Sequence, residues 1–334
     1  MIPDRKTFPH RSEHGGKVRR EKRQFKRDYI DFSASLNPFP PQFTWDVPPE
    51  TLGSYPDEEY AELKELISAV FSRKPEEIAV GNGSIELIRV FCSAVFEKGT
   101  RFFVQNPTFG EYTLSACLAG GVPATPETSR VHFLCNPNNP TGTLLSRPRV
   151  IESVRTIETN GGWMFLDEAF IDLADPAESC VDTRSPALFV SRSLTKAFAV
   201  PGLRFGYGFG PADLIERMEI LRPPWSVNVY AEAFAFQAFR HLGDLAASRE
   251  LIRRECRFLV TELGERGLRV TPTSANYLLV DLPAPASTVS ACLAGQGMLV
   301  RDCTSFGLSA SIRIAVRRHD ENLLLLEALS RCLP

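Results

Sequence analysis

The chain has 334 residues, 43% of them apolar and 23% charged, which is enough to bury a substantial core and too ordinary a balance for a disordered or fibrous protein. Thirty-eight Lys and Arg against 40 Asp and Glu leave a net charge of -2, so no global field recruits nucleic acid or an anionic membrane. Eight scattered cysteines form no C-x-x-C pair and lack histidines at zinc spacing, and no stretch approaches the ~20 apolar residues of a spanning helix, so a reduced cytoplasmic protein without structural metal is expected.

Residues 1–30 are basic and poor in aliphatics, with seven Lys or Arg against two acids in KVRREKRQFKRD (17–28). Such a stretch suits a solvated or dimer-wrapping leader or a nucleic-acid arm, and the leader is the expectation here. From Tyr29, YIDFSASLNPFPP reads as a short strand running into a proline-stiffened turn. Tyr60, Leu63, Leu66, Ile67, Val70 and Phe71 recur at helical spacing over 57–71, followed by the strand EEIAV, the turn GNGS and the helix ELIRVFCSAVF. Strand-like runs at 101–105, 130–135, 161–167, 187–191 and 204–210 alternate with helical or loop segments, the rhythm of a mainly parallel sheet with helices on its faces. After PPW (223–225), one long helical stretch over 229–264 leads to shorter strands around LRVTP, ANYLLVDL, GMLVRD and SIRIAVR. The expected fold is α/β: a large domain over 31–225 with a mixed, mainly parallel sheet between helices, and a small α+β domain over 226–334.

Four segments carry chemistry. In SRSLTKAFAVPGLRFGYGF (191–209), Lys196 follows Ser191 and Ser193 and precedes Arg204 by eight residues. An imine-forming lysine needs a site that depresses its pKa, and the hydroxyls with the arginine can hold a phosphate. FLDEAF (165–170) ends a strand in Asp167, where a carboxylate either caps the following turn or holds a pyridine nitrogen protonated. CNPNNPTG (135–142) is a turn whose Asn139 amide can bond a phenolic oxygen. GNGS (81–84) sets Gly83 and Ser84 between a strand and a helix, either as an ordinary turn or as a phosphate seat.

In this order the four segments resemble the aspartate aminotransferase family of pyridoxal-phosphate enzymes, from His14 to Arg317. The resemblance implies pyridoxal 5'-phosphate on Lys196, a small domain that residues 31–50 join, and a homodimer with shared active sites. It implies further that Phe109 of NPTFGEY stacks on the cofactor and that Tyr55 of SYPD reaches the cofactor phosphate of the other subunit. Many relatives have Tyr where this chain has Phe170, so the ring oxygen relies more on Asn139, and Phe170 is given no catalytic part.

Within the family, HGG (14–16), DFSASLNP (31–38), GNGSIELI and DEAFIDL look like the L-threonine-O-3-phosphate decarboxylases of cobalamin biosynthesis, and the histidinol-phosphate aminotransferases are the neighbouring branch. Both act on a phosphorylated amine or amino acid. Arg313 and Arg317 in SIRIAVRR occupy alternating strand positions that point to one face, with Asn37 and Arg301 as companions. By resemblance Arg313 would take the substrate carboxylate and Arg317 its phosphate. His14 is either a substrate ligand or an exposed residue of the leader. A cofactor-binding regulator would need an added DNA-binding domain, for which residues before 30 leave no room, so an enzyme is expected.

Overall fold

Short β-branched and aromatic runs that alternate with amphipathic helices bury both faces of a sheet, and this is the arrangement found in the computed structural model, which describes residues 9–333. The first eight residues of the expected leader lie outside that range. The first strand is β1 (Ile30–Asp31). The next seven are β2 (Ile78–Gly81), β3 (Arg101–Val104), β4 (Val122–Pro123), β5 (Val131–Cys135), β6 (Trp163–Asp167), β7 (Leu188–Arg192) and β8 (Gly206–Phe209). They form one sheet in the order β2-β8-β7-β6-β5-β3-β4. All of its pairings are parallel except those of β8, which runs antiparallel to both neighbours.

Strand alternation divides the core. On β6 and β7, Met164, Leu166, Leu188 and Val190 pack with Val150, Val154 and Ile157 of the helix Arg147–Thr159. Phe165 and Phe189 turn the other way, onto Phe91 and Met218 of the helices Ser84–Val95 and Ala212–Leu221. Burial on both sides explains why these strands read as continuous apolar runs.

The remaining strands are β9 (Arg269–Val270), β10 (Tyr277–Asp281), β11 (Met298–Leu299), β12 (Arg301–Asp302) and β13 (Ser311–Ala315). Four of them form an antiparallel sheet, β12-β13-β10-β9, while β11 pairs in parallel with β1. GMLVRD, read as one strand, is thus divided at Val300 between two sheets.

Three expectations need correcting. The helical stretch at 229–264 is two helices, Val229–Arg240 and Leu245–Glu265, broken at the turn Leu242–Asp244 that contains Gly243. The basic leader contains the helix Val18–Phe25, and residues immediately before it pack onto the body of the protein. The cysteines are not all free: the helices Ala286–Gly295 and His319–Cys332 pack together and join Cys292 to Cys332 in a disulfide, a pairing that a sequence separation of 40 conceals. No helix among the described residues is long and apolar enough to cross a membrane.

Candidate active site

In parallel sheets the strand carboxyl ends face a crevice, and here Cys135, Asp167 and Ser191 are register neighbours at the ends of β5, β6 and β7. A cavity of about 330 Å³ opens there, lined by Lys196 and Asp167 among others. A larger acidic cleft of about 970 Å³ lies between the helices Ala61–Phe71 and Ala212–Leu221, away from these groups, and offers no comparable chemistry.

Lys196 sits in the single-turn helix Leu194–Ala197. Burial, reinforced by the cations Arg313 and Arg204, depresses its pKa from 10.5 to about 8, against the opposing pull of Asp167 and Asp31. Its Nζ lies 5.8 Å from the centre of the Phe170 ring. Asp167 is 4% exposed, and burial pushes its carboxyl up. Tyr112 Oη donates to its Oδ2 at 2.7 Å and the Ala169 N–H to its Oδ1 at 2.9 Å, which opposes that shift.

Beside Lys196, the side chains of Ser84, Ser193, Thr195 and Arg204 converge on the cavity, with Ser84 as the first residue of its helix. Two glycines make the convergence possible. A Cβ on Gly83, which has φ +79°, would stand 2.3 Å from Arg204 Nη2, and a Cβ on Gly206 would stand 2.4 Å from the Ser84 nitrogen. A guanidinium, three hydroxyls and a helix N-terminus around one point form a seat for a phosphate dianion.

On the far wall, Arg313 donates through Nη1 to Asn139 Oδ1 and through Nη2 to Ser33 O at 2.8 Å. Its Nε is buried without a partner. Asn139 spends its carbonyl on that arginine, which leaves its amide N–H groups for a ligand. Arg301 also enters the cavity, donating to Ser305 Oγ at 2.6 Å and to Glu13 O at 2.9 Å. His14 lies 5.7 Å from Phe109, ring centre to ring centre.

The sequence matches the family of class I and II aminotransferases over residues 47–329. The chain belongs to that family. A provisionally named threonine-phosphate decarboxylase of Caldanaerobacter subterraneus subsp. tengcongensis is 33% identical, over 95% of this chain and 93% of that one. The histidinol-phosphate aminotransferase 2 of Archaeoglobus fulgidus is 31% identical, over 91% and 93%. The histidinol-phosphate aminotransferase of Sinorhizobium meliloti, solved in complex with pyridoxal-5'-phosphate, superposes with a TM-score of 0.82 over 94% of both chains at 21% identity and shares the fold.

Like other members of the class I and II aminotransferases, this protein is a pyridoxal 5'-phosphate enzyme, and the cavity fits that cofactor. It offers an amine that is partly neutral near pH 8, a glycine-cleared phosphate seat and a buried carboxylate. Among the described residues there is no cluster of His, Cys, Asp and Glu that could hold a metal.

The structure brings Lys196, Asp167, Ser84, Phe109, Asn139, Ser193, Arg204, Arg313 and His14 to one cavity. Gly83 does not line it but lies against Arg204, and four further residues are not brought to it. Ser191 is fully buried, its hydroxyl unpartnered, and Thr195 lines the cavity instead. Asn37 donates to Ala197 O and accepts from the Phe39 N–H, so its amide braces the Lys196 helix and does not line the cavity. Arg317 lies beyond the end of β13, where it bonds Asp31 O at 3.0 Å and Glu321 at 2.6 Å, because the chain has left the strand whose alternation would have aimed it inward. Tyr55 is 77% exposed and stacks on Trp225 at 4.4 Å, outside this chain's cavity. Tyr112 and Thr195 were missed; Tyr112 follows Phe109 by three residues at a helix start, a spacing that could have flagged it.

Proposed function

We propose that the protein decarboxylates L-threonine O-3-phosphate to (R)-1-aminopropan-2-ol O-phosphate, the reaction placed in cobalamin biosynthesis. The observation that carries this reading is the pair Arg301 and Arg313, two guanidiniums in one cavity for a substrate with two anionic ends, a carboxylate and a phosphate. The relative with the threonine-phosphate decarboxylase name supports it, as does the position of the HGG segment on the cavity wall.

Arg313, which is bonded to Asn139 and Ser33, would take the carboxylate, and Arg301 the phosphate. Ser84, Ser193, Thr195 and Arg204 would hold the cofactor phosphate, Phe109 would pack on its ring, and Tyr55 would serve the site of a second subunit. When bound, pyridoxal 5'-phosphate supplies an electron sink for the bond broken at Cα. Asp167, fixed by Tyr112 and Ala169, would keep a proton on the ring nitrogen. The Asn139 amide would donate to the ring oxygen in place of the phenol that Phe170 lacks. Lys196, in its ammonium form, would return a proton to Cα and be left as the amine.

A second reading, histidinol-phosphate aminotransferase with 2-oxoglutarate and glutamate, is favoured by the 31% identical relative of that name. It uses the same lysine and carboxylate and breaks the Cα–H bond instead. Incubation of the cofactor-loaded protein with L-threonine O-3-phosphate alone separates the two. Carbon dioxide and aminopropanol phosphate without any keto acid support the decarboxylase; no release, with turnover of histidinol phosphate and 2-oxoglutarate, transfers the chain to the aminotransferases.

A further inference from the structure

The segment before the helix Val18–Phe25 is tied across one wall of the cavity. Arg301 Nη2 donates to Glu13 O at 2.9 Å, His14 Nε2 meets Glu111 Oε1 at 2.9 Å, and the Gly16 N–H donates to Ser33 Oγ at 2.8 Å. Ser12 Oγ comes so close to Gly110 that a Cβ there would stand 3.1 Å away.

The tie to Glu111 joins a side chain of the leader to a buried carboxylate. Glu111 is 4% exposed and opens the helix Glu111–Leu118. Its second oxygen takes Arg89 Nη2 at 2.9 Å, from the helix that Ser84 begins. One carboxylate therefore links the leader, the helix that follows Phe109 and the helix of the phosphate seat. The hydrogen bond from His14, with the pull of Arg89, holds Glu111 below the usual carboxylate range despite its burial. An ionised carboxylate only accepts, so His14 Nε2 donates to it; a phosphate oxygen likewise only accepts, so the other ring nitrogen must carry a proton as well to bond one, and the imidazolium is the form that bridges the two anions.

We propose that Glu111, braced by Arg89, is a positioning residue that fixes His14 and residues 12–16 against the cavity, so that the imidazole meets the phosphate of the substrate. The substrate half of this inference rests on the phosphorylated-substrate reading above.

The test uses the cofactor-loaded protein and Glu111→Gln, which keeps the shape and removes the charge. With the phosphorylated substrate, KM is expected to rise about tenfold while kcat stays within about twofold. His14→Ala should do the same, and the double variant should be no worse than His14→Ala, because Glu111 acts through His14. A Glu111 that merely supports its helix would add its full effect in both backgrounds, and that additivity overturns the proposal. Hydrogen exchange without substrate supplies the second readout: amides of residues 12–16 should exchange faster in Glu111→Gln, and unchanged exchange also overturns it. Faster exchange supports the latch even where neither phosphorylated substrate is turned over, a result that removes the substrate reading alone.

Discussion

Arg301 and Arg313 face each other across the antiparallel pair β12 and β13, and both side chains enter the same cavity. Like charges directly opposite on a sheet repel. Here each guanidinium is held chiefly by neutral oxygens: Asp302 O, Ser305 and Glu13 O for Arg301, Ser33 O and Asn139 for Arg313. The one carboxylate within ion-pair distance of either is the exposed Glu13, 3.8 Å from Arg301, so two positive charges share one counter-ion and favour an anionic ligand.

Replacement of Arg301 by Ala is therefore expected to raise KM for a phosphorylated substrate more than about tenfold, the loss of a charge-assisted contact. Arg317→Ala should leave KM within about twofold and cost about 1 kcal/mol of stability, through loss of the Glu321 and Asp31 contacts. Steady-state kinetics and thermal melts check both. A KM that follows Arg317 and ignores Arg301 would restore the alternating-strand clamp.

Lys196 must be neutral to add to the cofactor carbonyl, and its pKa of about 8 lies well below the ordinary 10.5. Loading of cofactor-free protein should accelerate as pH rises through about 8 and level off above it. Arg313→Gln removes a neighbouring cation, so the lysine pKa rises and the midpoint moves to higher pH. Lys196→Ala should abolish the visible absorbance of the lysine-bound cofactor together with turnover; a retained band would remove Lys196 from its role.

Tyr112→Phe keeps the ring, stacked 5.6 Å from Phe133, and deletes the donor to Asp167. A buried carboxylate short of one donor loses roughly 1–3 kcal/mol of stabilisation, so its pKa climbs further and its hold on a protonated ring nitrogen weakens. Cofactor release, followed by absorbance after dilution, should quicken about tenfold, and the melting temperature should fall by a few degrees, roughly what a loss of 1–3 kcal/mol implies. An unchanged release rate would show that Tyr112 does not support Asp167.

Gly206→Ala would press a methyl against the Ser84 nitrogen at 2.4 Å, and backbone on both sides must move. Cofactor affinity should fall at least about tenfold, with a lower melting temperature. Gly202→Ala, whose Cβ would meet nothing within 4 Å, is the control and should bind normally. Equal titration curves for the two variants would rule out the glycine-cleared seat.

Much was legible in the sequence because it is local. Helical spacing placed the helices Ala61–Phe71 and Ser84–Val95, and continuous apolar runs placed β5, β6 and β7, since burial on both faces writes itself into consecutive residues. Asp167 stood out because the end of such a strand is where a ligand sits, Lys196 and Arg204 because hydroxyls and an arginine flank one lysine in SRSLTKAFAVPGLR, and Asn139 because it lies in the turn CNPNNPTG.

Only the tertiary structure decided the rest, because it depends on what each strand pairs with. Val300 splits GMLVRD between two sheets and brings Arg301 opposite Arg313, whereas β13 ends at Ala315 and releases Arg317 toward Glu321. Asn37 donates to Ala197 O, and Cys292 meets Cys332, through contacts 160 and 40 residues apart in sequence. Side-chain period can tell which face of a strand a residue takes, but where the strand stops and which neighbour it meets are set by the packing of the whole chain.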